Sequence, residues 1–189
     1  MNLTEQLKVA IRPIQRKGNF LGQKREKLRE DLWPGSRQEI WHRGDHKGFG
    51  TIPRLLPLVL HLIKKLSKKG NPADVYIQLW ARNYDEGIVE ITDEHAFAFE
   101  AGYDSTRALR TWREHIFKLE QLGFIKVKPA GLRDIAYILL LNPLEVCARL
   151  RKQGRSVPDE WWNAFLKRAN DIGAALPTDV DREGEQAMT

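Results

Sequence analysis

Between Ser105 and Arg133 the side chains with the most chemical reach are donors and cations. They are Ser105, Thr106, Arg107, Arg110, Thr111 and Lys118, followed by Lys126, Lys128 and Arg133. An arginine presents five N–H donors in a rigid fork and keeps its charge at any physiological pH, lysine is a compact point charge, and a hydroxyl can donate or accept. Such a set binds anions and polar edges, but by itself it moves no proton and attacks no bond. The five histidines, His42, His46, His61, His95 and His115, are scattered along the chain. The many carboxylates include no pair whose pKa values have a reason to be pushed apart, so no general acid and base emerge.

His42, Asp45 and His46 lie close together in a stretch rich in Trp and turn residues, 32–50. Histidines four apart can ligate zinc from a helix, but Gly44 disfavours a helix here and no second ligand cluster exists elsewhere. The competing reading is a loop in which Arg43, His46 and Lys47 are surface residues or phosphate contacts. Gly48-Phe49-Gly50 is too short to cradle a nucleotide, and no glycine-rich segment ends in Lys-Ser or Lys-Thr. The expectation is a protein without catalytic residues, cofactor or metal.

The elements that must position the cationic set are legible as strand, helix, turn, helix and hairpin. Gly87 to Ile91 is a short β-branched run. Thr92 is placed to cap a helix with Asp93 and Glu94 in its first turn, which runs through Ala96, Phe97, Phe99 and Ala101 and stops at Gly102. Asp104 or Ser105 caps the next helix, in which Ala108, Trp112, Ile116, Leu119 and Leu122 recur at three- and four-residue steps as a buried stripe. That stripe leaves Thr106, Arg107, Arg110, Thr111, Glu114 and Lys118 on the opposite face. Gly123 ends the helix, and Phe124 to Lys128 and Ile135 to Leu141 are strands joined by a loop over Pro129 to Asp134.

The order of these elements, with TDEHAFAFEAGYDSTRALRTW as helix, turn and helix and KLEQLGFIKV as the junction into the hairpin, resembles the winged helix-turn-helix superfamily. The resemblance covers about a third of the chain and is one of pattern. It implies a mainly α fold with a small β-hairpin wing, with extra helices at both ends of the chain. It also implies a sequence-specific double-stranded DNA binder, acting as a transcriptional regulator or as a replication or partition initiator of a bacterial plasmid or phage. On that reading the helix from Ser105 to Leu122 enters the major groove. Arg107 and Arg110 match the O6 and N7 acceptors of guanine; Ser105, Thr106 and Thr111 hold phosphate or read bases; Lys118 shares the face; Lys126, Lys128 and Arg133 hold backbone from the wing. The alternative is a winged domain that binds protein without DNA, in which the same residues are a solvated helix face.

Charge is unevenly spread. The chain of 189 residues has a formal charge of +6, yet residues 1–70 carry 16 Lys and Arg against 6 Asp and Glu, residues 71–141 carry 8 against 11, and residues 142–189 carry 7 against 8. Bulk phosphate affinity is therefore expected from the N-terminal part. There, Asn2 to Arg12 reads as an amphipathic turn series broken by Pro13, and Lys17 to Arg29 as a polar, basic stretch that stays mobile until bound. Its two readings are an arm along phosphates or a minor groove, and a solvated helix that packs loosely or pairs two protomers.

The remaining elements supply support. Thr51 caps a helix with Pro53 near its first turn, running through Leu55, Leu56, Val59, Leu60, Ile63 and Leu66 to a stop at Gly70. Asn71 and Pro72 open another, with Val75, Leu79 and Trp80 inward. Leu144 to Lys152 turns Val146, Cys147 and Leu150 inward. Pro158 then starts a last helix that crowds Trp161, Trp162, Phe165, Leu166, Ala169 and Ile172 on one side, to dock on its own domain or on a second protomer. The organisation read from this is a basic arm and loop over 1–50, a winged domain with supporting helices over 51–152, an aromatic helix over 153–174 and a disordered tail over 175–189. A homodimer through the N- or C-terminal helices is the oligomeric expectation. With one cysteine, Cys147, no signal-peptide pattern, and a longest apolar run, Leu55 to Ile63, interrupted by Pro57 and His61, the chain reads as cytoplasmic with no membrane partner.

Overall fold

A computed structural model describes residues 18–67 and 70–174. These divide into two compact units, with the boundary between Gly48 and Phe49. The amphipathic series expected at 2–12 and the tail at 175–189 lie outside the described residues. Among the described residues the protein is mixed α/β, with seven α-helices and one three-stranded antiparallel sheet. No helix among them is long and apolar enough to cross a membrane.

In the first unit, α1 (Gly18–Leu32) is followed by a single 3-10 turn, Ser36–Gln38. The stretch from Lys17 to Arg29 is thus largely helical, as the solvated-helix reading of it requires. Its Gln, Lys, Arg, Glu and Leu residues lose little rotamer freedom in a helix, and that local preference outweighs its polarity. Between residues 22 and 48 every side chain is exposed or half-buried. The unit is held by polar contacts: the Gly35 amide donates to Glu30 Oε1 at 2.8 Å, and Arg37 Nη2 meets Asp45 Oδ2 at 2.6 Å.

The second unit is built on one apolar core. Its helices are α2 (Leu56–Leu66), α3 (Ala73–Arg82), α4 (Glu94–Glu100), α5 (Ala108–Leu122), α6 (Pro143–Lys152) and α7 (Asp159–Ile172). Its strands are β1 (Ile88–Glu90), β2 (Ile125–Ala130) and β3 (Arg133–Leu140), in the order β1-β3-β2. Leu56, Val59, Leu62 and Ile63 of α2, Val75, Tyr76 and Leu79 of α3, Phe97 of α4, and Trp112, Ile116 and Leu119 of α5 all enter that core. Phe97 and Trp112 meet edge to face, with ring centroids 6.1 Å apart. Trp161, Phe165 and Ala169 of α7 are buried in the same cluster, and the Trp161 indole donates to the Leu58 carbonyl at 2.9 Å. The aromatic side of α7 is therefore spent within its own chain.

Several boundaries differ from expectation. α2 starts at Leu56, not after Thr51, with Pro57 in its first turn. A proline deeper in a helix would lack its N–H bond and clash with the preceding turn, so Pro57 and not Pro53 sets the start. Thr51 instead donates its hydroxyl to Asp85 at 3.3 Å, and the helix ends at an extended Ser67 short of Gly70. Asp93, not Thr92, caps α4, its carboxylate accepting from the amides of His95 and Ala96. A carboxylate at that position also meets the positive end of the helix dipole. α5 begins at Ala108, three residues after Ser105; the Ser105 hydroxyl accepts from the Arg107 amide at 3.4 Å and closes a turn instead of capping the helix.

The hairpin is tighter than the expected loop over Pro129 to Asp134. Ala130 pairs with Arg133, leaving Gly131 and Leu132 as the connection, with a bulge between Lys128 and Ala130. Gly131 takes a φ of +57°, which a two-residue hairpin turn needs and an L side chain resists. Pro129 is accommodated on an edge strand, where its missing N–H breaks no ladder bond. On the same edge, the Val127 amide donates to Glu120 Oε1 of α5 at 2.8 Å.

Candidate nucleic-acid interface

α5 is the centre of the site because its two faces are used differently. Trp112, Ile116, Leu119 and Leu122 are buried as the spacing requires, so rotation about the helix axis is fixed by the core. Arg110 is then turned outward, its side chain 80% exposed. Its Nε meets Glu114 Oε1 at 2.8 Å, one turn along. Such an exposed pair contributes only about 0.3–0.5 kcal/mol, so Arg110 is parked there and can exchange Glu114 for another acceptor.

The predicted residues divide among three pieces of structure. Ser105, Thr106 and Arg107 are exposed in the turn before α5, Arg107 being its N-terminal flanking residue. Arg110, Thr111 and Lys118 lie on the helix, the last two half-buried. Lys126 and Lys128 are exposed on β2, two residues apart and on the same sheet face. Arg133 opens β3, and its Nη1 donates to the Ile91 carbonyl at 3.0 Å, which gives this guanidinium a structural tie to the end of β1. Gly123, at φ +79°, turns α5 directly toward β2, so the helix and the hairpin are joined without a linker.

α4 and α5 are also joined by an ion pair that the spacing alone does not reveal. Arg113 reaches Glu94 with two donors, at 2.5 Å from Nε and 3.2 Å from Nη2, and this hydrogen bonding to the Glu94 carboxylate raises the arginine's pKa above its ordinary value. On the far side of α4, Arg82 and Gln78 of α3 both donate to Glu100, whose carboxyl is held below its ordinary pKa, chiefly by Arg82. Arg82 also sits over the Phe97 ring, 4.7 Å from its centroid. Both carboxylates of the short helix are thereby tied to neighbouring helices.

His115 is a packing residue. It is buried on α5 with Nδ1 2.7 Å from the Tyr103 hydroxyl, and desolvation lowers its pKa while raising that of Tyr103 to about 12. Its ring fills the space over Gly70, where an added Cβ would stand 2.2 Å from Nε2. Cys147 is buried in the core, which pushes its thiol up to about 12. No group of three or more His, Cys, Asp or Glu among the described residues is placed to hold a metal ion.

The exposed surface of α5 also carries apolar groups absent from the predicted set. Thr106, Leu109, Arg110, Arg113, Glu114 and Phe117 line a shallow groove of about 370 Å³, and Phe117 is 44% exposed. Leu109, Arg113 and Phe117 recur every four residues off the buried stripe, a periodic signal that could have found them. Leu132, at the tip of the hairpin, is fully exposed. No family model, curated protein or solved structure matches this chain.

Proposed function

We propose that this protein is a sequence-specific double-stranded DNA-binding protein of winged helix-turn-helix type that carries out no catalytic reaction. Its role would be transcriptional regulation, or initiation of replication or partition, in a mobile element. The observation that carries this reading is the outward face of α5. Arg110 and the half-buried Thr111 stand on one side of a helix whose other side is locked into the core, Arg107 is exposed just before its first turn, and a hairpin bearing exposed Lys126 and Lys128 follows at once. The succession α3, β1, α4, α5, β2, β3 and the sheet order β1-β3-β2 support the same assignment. α5 lies in the major groove, the Arg110 fork exchanges Glu114 for a guanine edge, and the hairpin lysines meet flanking phosphates.

The test is retention on duplex DNA as a function of salt, followed by selection of a preferred site from random duplexes. Arg110→Ala then costs about 1–3 kcal/mol and relaxes base choice at one position. Lys128→Ala weakens all sequences alike and reduces the salt slope by about one unit. If both variants bind as the parent does, α5 is not the reading helix. A second reading, a winged domain that docks on protein, is favoured by the exposed Phe99, Phe117 and Leu132; absence of any salt-sensitive DNA binding by the parent would select it.

A further inference from the structure

We infer that the N-terminal unit carries a phosphate-binding cleft of its own, formed by Arg25, Arg29, Arg37 and His42. The cleft has a volume of about 410 Å³, and Gly22, Gln23 and Glu26 complete its lining. Three arginines and a histidine thus stand around one carboxylate. No aliphatic side chain is among them, so a ligand here is recognised by charge and hydrogen bonding and not by apolar burial.

Glu26 lines the cleft itself, and two further acids beside the arginines are already engaged. Glu30 accepts the Gly35 amide through Oε1 and lies 3.7 Å from Arg29 through Oε2. Asp45 takes one amino group of Arg37 and faces His42 Nδ1 at 3.8 Å. Asp45 orients the Arg37 fork while leaving its remaining donors for another acceptor. Arg29 is the least exposed of these cations, and its Nε is buried with no hydrogen-bond partner among the described residues. A buried guanidinium donor without an acceptor is unfavourable, and an anionic oxygen in the cleft relieves it. A tetrahedral oxyanion can take donors from several arginines at once. Gly22 leaves one wall bare, since a Cβ built there meets nothing within 4 Å.

The ligand is a phosphate group, either a diester of a nucleic-acid backbone or free phosphate. The cleft is made of residues other than those of α5 and the hairpin, so it stands whether or not α5 reads bases. The experiment uses the full chain and two variants. Arg29→Gln removes the central cation. Gly22→Glu sets a carboxylate against the cleft from a helical position with open space around it and better helix propensity than glycine. Far-UV circular dichroism and melting of both variants should match the parent. Binding is measured to a labelled duplex across a salt series and, by calorimetry, to inorganic phosphate.

If the phosphate belongs to nucleic acid, Arg29→Gln lowers the salt slope of duplex binding by about one unit. Both variants then weaken all sequences alike without changing sequence preference. If it is a free ligand, the parent takes up inorganic phosphate, both variants lose that uptake, and duplex binding is unaltered. The inference is overturned if folded variants match the parent in both assays, or if the parent binds neither duplex nor phosphate.

Discussion

The two units of this chain are built by different physics. Residues 22–48 bury no side chain and are held by ion pairs and backbone-to-carboxylate bonds, whereas the second unit closes around one apolar cluster to which α2 through α7 contribute. Trp33 and Trp112 make the contrast concrete: the first is 63% exposed and the second fully buried. Salt does not screen apolar burial, whereas it weakens exposed ion pairs. The cohesion of the first unit is therefore expected to answer to ionic conditions more than that of the second.

The sharpest way to break this comparison is to truncate an equivalent residue in each unit. Trp112→Ala should cost about 3–5 kcal/mol in urea denaturation, while Trp33→Ala should stay within about 0.5 kcal/mol. Equal losses would mean that the first unit has a core after all. Asp93→Ala, which strips the cap from α4, should cost about 1 kcal/mol, measurable as a shift in the urea midpoint at constant slope. A larger loss would place the cap inside the cooperative core and not at its margin.

The smallest and most discriminating effects lie on the pH axis. Burial holds the pKa of His115 below the ordinary value of 6.5, so the unfolded chain takes up that proton more readily than the folded one. Its contribution to stability is complete above 6.5 and is lost as pH falls through the lower folded value. His115→Gln should flatten that part of the profile in denaturation curves of the second unit. In the first unit, hydrogen bonding from Arg37 lowers Asp45 below 3.8, so its contribution persists above 3.8 and disappears only in stronger acid. Titration followed by NMR of the two side chains should separate the two windows; a single shared window would remove the distinction.

Legibility in the sequence followed the same divide. Where a pattern had a core to satisfy, it was readable: the stripe from Ala108 to Leu122, the stop at Gly123, the paired strands after it and the aromatic side of α7 are all present. Misreadings arose where two residues could do one job, as with Thr92 and Asp93 for a cap, or Pro53 and Pro57 for a helix start. In each case backbone geometry chose, and local composition is silent on geometry. The Arg113–Glu94 and Arg37–Asp45 pairs were hidden for another reason, because partners brought together by a turn leave no fixed spacing. The groove of Leu109 and Phe117 was within reach, since its four-residue period is visible once the buried stripe has been subtracted.

The bond from the Val127 amide to Glu120 has a bearing on handling the protein at high concentration. β2 is an outer strand, and an outer strand with free amides is where sheets of separate molecules join and precipitate. Along the outward edge of β2, position 127 is already satisfied by a carboxylate, and position 129 is a proline with no amide to offer. A further strand arriving there would find two successive docking points missing. The same carboxylate that braces the hairpin against α5 thus protects this edge of the sheet from fibrous growth, and Glu120→Ala should show its cost first as turbidity on storage and only second as lost stability.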